Sequence, residues 1–488
     1  MAIGLVSFPI FTRVLTVADY GTMELIQRLA LLGTAAGKLG VQHAILRFFN
    51  PKEFTQNPAT ARGFYSTAIL GATGTGIIAG VATLAAFLLA AGKNAPGQNG
   101  IGLALALLAG TLSIIRVLYS ILTNLLRAEE RSGTFTLTSV GGRAATVATI
   151  LTLFAFWKPD LGLYFTGTVA VELAIVLGLI AWLMRRRLIE YASFDRKLFR
   201  SMVAFGLPMV AYETLVVALD SSDRFLIRNL LGANPLGYYA AAYTVCIYIQ
   251  DLLMVPINLA MMPIYLKLWN TEGPARTAEF LSDSFRLFVI AAACLVAGVT
   301  ACAASAITLL ASAKYAASAP LIPWIVSGLV LYAANAFLNA PLLIEKKTTT
   351  MATLVGCALV AKVAMNLVLL PRLGLLGAVA STIFGYLFLL GLTAYYSLKL
   401  MPIAIDAGLI AKAVACGAAA AFAGLQIKLP WPAAELAARA VCVLLVYGLT
   451  LAVTDRVARQ TLLRGLSIAR RELQMLTAGA SLLGGLVG

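Results

Sequence analysis

The chain consists mainly of apolar stretches, each long enough to cross a lipid bilayer as a helix. Such a crossing needs about 20 residues, and the bilayer core holds no water to pair with unsatisfied backbone groups. We therefore predict an all-α membrane protein with about 14 transmembrane helices. The predicted helices lie near residues 1–15, 20–44, 64–91, 101–126, 134–156, 161–184, 203–228, 237–264, 283–311, 320–344, 350–370, 374–397, 405–427 and 434–454.

The composition agrees with a membrane protein and offers no sign of an enzyme. Hydrophobic residues make up 60% of the chain and charged residues only 12%, whereas soluble domains carry about a quarter charged residues. The six cysteines lie in apolar stretches without CxxC spacing, and the only histidine is His43. There is no phosphate-binding P-loop motif and no Ser/His/Asp combination. We expect no metal, no cofactor and no catalysis.

The formal net charge of +16 could indicate a nucleic-acid partner, but its distribution argues against one. Basic residues concentrate in alternate connections, of which the longest holds Arg185, Arg186 and Arg187. The positive-inside rule then predicts that both termini lie in the cytoplasm.

The predicted helices divide into two halves followed by an extension. We predict a six-helix lobe at 1–200, a second at 201–400, two further transmembrane helices at 401–455 and a basic amphipathic cytoplasmic tail at 456–488. A weak internal repeat supports the division, since TRVLTVADYG at 12–21 is similar to IRNLLGANPLG at 227–237. A repeat of equal orientation predicts two bundles with a site between them.

Charged residues occur inside the predicted transmembrane helices, where each costs roughly 2.5–3.5 kcal/mol near the bilayer centre. On helical spacing, Glu24, Arg28, Lys38 and Gln42 share one face of the second helix. The candidate ligands of a phosphate group are Arg13, Arg28, Lys38, Arg116, Arg143, Arg224 and Lys362. The candidate ion-coupling carboxylates are Glu24, Glu213, Asp220 and Asp223.

These charges have two interpretations. They form a salt-bridge network that holds helices together, for which the i,i+4 pairs Glu24–Arg28 and Asp220–Arg224 are suitable. Alternatively they line a hydrated cavity in which bases outnumber acids and attract phosphate. Near the helix ends, Lys412 and Arg439 are adequately explained by side chains that reach to the membrane surface.

Several short motifs resemble those of bacterial polysaccharide exporters. They are FPIFTRVL at 8–15 with DYG at 19–21, FGLP at 205–208, DSSDRFLI at 220–227, LG at 231–232, GYY at 237–239 and LPRLGLLGA at 370–378. Their order and spacing are similar to those of Wzx-type oligosaccharide flippases, in the superfamily that also contains MurJ and the MATE transporters.

The resemblance implies a flippase that alternates between inward-open and outward-open states in the bacterial inner membrane. Its implied substrate is an undecaprenyl-pyrophosphate-linked oligosaccharide for O-antigen, capsule or exopolysaccharide. The family's first-helix arginine corresponds to Arg13. The implied partners are the lipid bilayer, a polysaccharide polymerase and chain-length proteins.

Three other functions are compatible with the same sequence. The first is a cation-coupled multidrug antiporter, which would need an acidic and aromatic site. The second is a non-transporting membrane protein, either an assembly scaffold or a glycan polymerase, and a polymerase would need a large periplasmic loop with catalytic residues. The third is a lipid II flippase. Drug efflux, loop length and complementation of a strain depleted of its lipid II flippase distinguish these possibilities.

Overall fold

The protein is built from α-helices joined by short connections, in a computed structural model that describes residues 2–91 and 101–455. The helices are α1 (Ala2–Val14), α2 (Val17–Gly37), α3 (Val41–Phe48), α4 (Pro51–Gln56), α5 (Pro58–Ala91), α6 (Ile101–Ala128), α7 (Ser132–Thr136), α8 (Gly142–Phe156), α9 (Leu161–Arg185), α10 (Arg196–Leu230), α11 (Ala233–Thr271), α12 (Pro274–Leu310), α13 (Ile322–Ile344), α14 (Thr348–Leu373), α15 (Leu375–Leu398), α16 (Ala407–Leu425) and α17 (Pro432–Thr454). A π-helical turn (Leu137–Gly141) and 3₁₀ turns (Tyr191–Ser193, Ala313–Leu321) complete the elements.

The predicted all-α membrane class is confirmed. In the described residues, 12 helices are long and apolar enough to cross a membrane, and the bent pair α2–α3 makes 13. The remaining predicted helix, 1–15, corresponds to α1, which contains the shorter apolar segment Ile3–Val14. At 1.5 Å per residue α1 is about 20 Å long, less than the roughly 30 Å hydrocarbon core. The count of 14 is therefore approximate.

Acidic and hydroxyl side chains fix where several helices begin. Thr16, Asp160, Asp195 and Asp406 precede α2, α9, α10 and α16, and each accepts a hydrogen bond from a backbone N–H of the first turn. Those N–H groups have no partner within the helix, so a side-chain oxygen at this position stabilises the helix start.

The helix predicted at 20–44 is broken near its end. α2 and α3 meet at an angle of 44°. The break occurs at Leu39 and Gly40, which have φ values of 42° and 79°. A left-handed conformation at Gly40 costs little because glycine has no Cβ.

Contacts divide the chain into two compact units. The first comprises the residues up to Leu252 together with Leu310–Leu400. In it α3, α5, α6 and α9 enclose an apolar core that includes Ile45, Phe64 and Ile121. The predicted lobes 1–200 and 201–400 stay a prediction, and the predicted amphipathic tail at 456–488 lies outside the described residues.

The second unit comprises Leu253–Leu309 and the described residues from Met401 onward. Arg439 of α17 is buried there, contrary to the expectation that it reaches the membrane surface. Its guanidinium pairs with Glu435 and donates to the carbonyls of Ala301 (2.9 Å) and Ile427 (3.0 Å). Arg439 therefore connects α17 to α12 and to the end of α16. Lys412 lies 3.5 Å from Asp455.

Candidate substrate site

Ion pairs join the charged faces of α2 and α10 over most of the length of α2. The Arg28 guanidinium lies 2.7 Å from Glu24 on its own helix and 2.6 Å from Asp220 on α10. Arg224 of α10 lies 3.5 Å from Glu24. The two helices run antiparallel, and this group of four charges, which we call the central cluster, lies between them.

Tyrosine side chains contact the central cluster. The hydroxyl of Tyr243 donates to the Asp220 carboxylate, and that of Tyr386 does so at 3.4 Å. The buried Arg224 guanidinium lies 4.2 Å from the centre of the Tyr243 ring, and it donates to the main-chain carbonyl of Asp220 at 2.8 Å. Asp220 and Arg224 therefore both take part in the salt bridges between α2 and α10, with Arg224 turned towards Glu24 and the aromatic ring and Asp220 paired with Arg28.

A second ion pair lies on α6 and α9, near α2. Arg116 contacts both carboxylate oxygens of Glu172 at 3.0 Å, through Nε to Oε2 and Nη2 to Oε1. Its Nη1 donates to the side chain of Gln27 at 2.8 Å, and Gln27 donates to the Tyr164 hydroxyl at 3.2 Å. Arg116 keeps 23% of its side chain exposed and Glu172 keeps 21%, so neither side chain is fully enclosed by the protein.

A third group forms where α2 breaks. The Glu213 carboxylate of α10 accepts from Lys38 at 2.5 Å and from Gln42 at 3.0 Å, and His43 lies 3.7 Å away. These contacts connect both sides of the α2–α3 break to α10.

The fourth group is fully buried between α10, α14 and α15. The Lys362 ammonium lies 2.8 Å from Asp223, and both side chains are 0% exposed. Asp223 also accepts from Asn366 (2.6 Å), Thr382 (2.9 Å) and Tyr239 (2.9 Å). Every donor that the carboxylate needs is therefore supplied by protein.

Arg13 and Arg143 are not brought into these groups. Arg13 is exposed on α1, where its guanidinium donates to the carbonyl of Pro9 at 3.0 Å. Arg143 is exposed on α8 and makes no ion pair with the described part of the chain. For both residues a role in substrate binding stays a prediction.

The charges of the four groups balance. The bases Arg28, Lys38, Arg116, Arg224 and Lys362 are matched by the acids Glu24, Glu172, Glu213, Asp220 and Asp223. The predicted excess of positive charge is thus not found within these groups in this conformation. A balanced arrangement is what burial requires, because an unpaired charge in an apolar interior costs several kcal/mol.

Sequence reasoning missed the neutral members of the site. Gln27, Tyr164, Tyr239, Tyr243, Tyr386 and Thr382 complete the hydrogen bonds of the charged residues. A signal existed for two of them, since Tyr239 and Tyr243 are one turn apart on α11. No signal identified Thr382, whose role depends on helix packing. Among the described residues, no cluster of three or more His, Cys, Asp or Glu could hold a metal.

Comparison with solved structures shows the fold. The chain is similar to "Lipid II flippase MurJ, inward closed conformation", with a TM-score of 0.70 and 14% identity over 93% of this chain and 96% of that one. It is also similar to an inward-facing multidrug resistance MATE family transporter, with a TM-score of 0.63 and 13% identity over 82% and 97%. An outward-facing multidrug resistance MATE family transporter is similar with a TM-score of 0.53 and 15% identity, over 82% of this chain and 91% of that one.

Comparison with known protein families shows which family the chain belongs to. No curated protein matches the chain significantly. The family described as "Polysaccharide biosynthesis protein" matches residues 10–320, which hold α2, α6, α9 and α10 with most of the charged groups described above. This multi-pass membrane protein, with its MurJ- and MATE-like fold, belongs to the polysaccharide biosynthesis protein family.

Proposed function

We propose that the protein is a flippase that moves an undecaprenyl-pyrophosphate-linked oligosaccharide across the bacterial inner membrane by alternating access. Family membership supports a role in polysaccharide production, and the fold supports transport. We also propose, from the distribution of basic residues, that both termini are cytoplasmic.

The observation that carries the proposal is the two-point pair of Arg116 with Glu172. Arginine binds carboxylate and phosphate oxygens with the same planar pair of N–H donors. Glu172 therefore occupies the place on Arg116 that two phosphate oxygens would take. Arg28, which is 18% exposed and held by Glu24 and Asp220, is the second proposed ligand.

In this mechanism the carboxylates and the substrate compete for the same guanidinium groups. Without substrate, Glu24, Glu172 and Asp220 neutralise the arginines; a bound pyrophosphate displaces them. The displaced carboxylates are then the proposed proton- or cation-coupling groups, since each loses its positive partner. Arg224, which is 1% exposed, supports the cluster and becomes a ligand only after the helices move.

Deletion of the gene in its own host tests the function. We expect an undecaprenyl-linked oligosaccharide to accumulate on the inner leaflet and surface polysaccharide to be lost, with both restored by the intact gene. Unchanged lipid-linked intermediates and normal surface polysaccharide in the deletion strain would contradict the proposal.

One observation favours a second function, a MATE-like cation-coupled multidrug antiporter. The Asp220 carboxylate accepts hydrogen bonds from the hydroxyls of Tyr243 and Tyr386, and an acid among aromatic rings also suits organic cations. Resistance to cationic dyes that depends on Asp220, with normal polysaccharide in the deletion strain, would favour this alternative. Rescue of a strain depleted of its lipid II flippase would favour lipid II as the substrate.

A further inference from the structure

Two pairs of glycines bring the predicted halves into backbone contact. A Cβ atom on Gly21 of α2 would lie 2.6 Å from the backbone nitrogen of Gly237 on α11. In return, a Cβ on Gly237 would lie 2.0 Å from the carbonyl oxygen of Val17. Real Cβ atoms essentially never approach within 3.0 Å, so this contact requires glycine at both positions.

The second pair lies at the break between α2 and α3. A Cβ on Gly40 would lie 2.2 Å from the carbonyl carbon of Gly206 on α10, and one on Gly206 would lie 2.3 Å from the carbonyl oxygen of Gly40. Because the opposing atoms are backbone, no side-chain rotation can relieve either overlap. The α2–α3 break and α10 must move apart to admit a side chain at either position.

A lysine fastens each glycine contact to the opposite half. Beside the first, the Lys314 ammonium donates to the carbonyls of Leu15 (2.6 Å) and Arg13 (3.1 Å) at the end of α1. Carbonyls at a helix end have no partner within the helix, and a cation is favoured there. Beside the second, Lys38 pairs with Glu213 of α10.

The two contacts enclose the charged groups along α2. Gly21 precedes Glu24, and Gly40 follows Lys38. At 1.5 Å per residue α2 rises about 24 Å from Gly21 to its end at Gly37, and Gly40 follows at the break, so the two glycines span most of the roughly 30 Å hydrocarbon core. One contact therefore lies near each membrane surface, with Arg28 and its partners between them.

We propose that Gly21–Gly237 and Gly40–Gly206 are the two closures of the transport path, each fastened by its own lysine. This inference rests on the proposed alternating access, in which each contact must separate in turn. Contacts between glycines lose no side-chain freedom when they close, and the single lysine attached to each is weak enough to release. In the conformation described, both closures are shut.

The test measures from which membrane face a thiol between the closures is reached. Gln27→Cys places a reporter thiol on α2 between Gly21 and Gly40. The labelling of the same protein without Gln27→Cys is measured in parallel and subtracted as background. A membrane-impermeant maleimide is applied to right-side-out and inverted vesicles. The test variants are Gly40→Ala, Gly206→Ala, Gly21→Ala and Gly237→Ala; the matched control is Gly74→Ala, whose added Cβ would meet nothing within 4 Å.

We expect Gly40→Ala and Gly206→Ala to raise labelling about tenfold from one face, as an extra methyl group in a tight contact should. Gly21→Ala and Gly237→Ala should raise it from the opposite face, and Gly74→Ala should change neither. With cytoplasmic termini, the Gly40 closure faces the cytoplasm. Equal labelling from both faces, or no difference from Gly74→Ala, overturns the proposal.

If an alanine variant does not fold, the lysines give the same test without added volume. Lys38→Met should increase labelling from the Gly40 face and Lys314→Met from the Gly21 face. Increases from a single face for both variants overturn the proposal. Because the assay contains no substrate, its outcome is independent of whether the deletion strain accumulates a lipid-linked oligosaccharide.

Discussion

Arg116 and Glu172 form a two-point ion pair between α6 and α9, with two N–O distances of 3.0 Å. Both side chains stay partly exposed, and the two parallel contacts define the plane of the guanidinium. Substitutions at these two residues can therefore distinguish a substrate-binding role of the pair from a purely structural one.

Arg116→Ala should abolish export and lower thermal stability, because it removes the phosphate ligand and leaves Glu172 without a cation. The double variant Arg116→Ala/Glu172→Ala should recover most of the stability, since no unpaired charge remains, while export stays lost. The measurements are unfolding temperature in detergent and surface polysaccharide per folded protein. Recovery of export in the double variant would show that the pair is only structural.

Replacement of Arg116 by lysine tests the geometry separately from the charge. Lysine keeps the positive charge but offers no planar pair of donors, so we expect Arg116→Lys to fold normally and to export roughly tenfold or more below the wild-type rate. Normal export by Arg116→Lys would mean that charge alone suffices at this position.

Substitution of Arg28 and of Arg143 tests two of the predicted phosphate ligands. Arg28→Ala removes two carboxylate contacts in the central cluster, and we expect loss of export. Arg143→Ala changes an exposed side chain, for which the stability effect is usually within about 0.5 kcal/mol, so its export tests the predicted substrate contact without loss of folded protein. The measurement is surface polysaccharide at matched expression. Loss of export in Arg143→Ala would place this residue in the site.

The buried pair Lys362–Asp223 should dominate the stability of the α10–α14 contact. Lys362→Met leaves the Asp223 carboxylate without its cation, at a cost of about 3–5 kcal/mol. The double variant Lys362→Met/Asp223→Asn should regain most of that cost, because Asn366, Thr382 and Tyr239 can still pair with an amide. An unfolding temperature of Lys362→Met equal to wild type would contradict the role of the pair.

The sequence predicted the helices and their charged faces better than it predicted which residues these faces contact. Glu24, Arg28, Lys38 and Gln42 were placed on one face of one helix, and all four contact α10. Helical periodicity is a local property, so one segment is enough to show it. That this face meets Glu213, Asp220 and Arg224 is a matter of packing between distant segments, which periodicity does not contain.

The same limit explains the error in the charge balance. Of the bases inside the predicted helices, Arg13, Arg143, Lys412 and Arg439 lie outside the four charged groups, and the five that remain are matched by acids. The break at Gly40 was also missed, because an apolar stretch gives no sign of where α2 ends. A glycine preceded by Leu39 in a left-handed conformation is visible only in the backbone.

Arg439 should stabilise the second unit without taking part in transport. Arg439→Met leaves Glu435 unpaired and removes the donor from the carbonyls of Ala301 and Ile427. We expect a clearly lower unfolding temperature, by an amount equivalent to about 3 kcal/mol. Export per folded protein should be unchanged, because none of the proposed phosphate ligands lies in this unit.

Arg372→Met, which changes an exposed arginine in the last turn of α14, is the matched control and should leave both quantities unaltered. Adding Glu435→Gln to Arg439→Met should restore part of the stability, since the unpaired carboxylate is then gone. If Arg439→Met kept its unfolding temperature but lost export, Arg439 would belong to the transport path and the proposed restriction of the ligands to the first unit would be wrong.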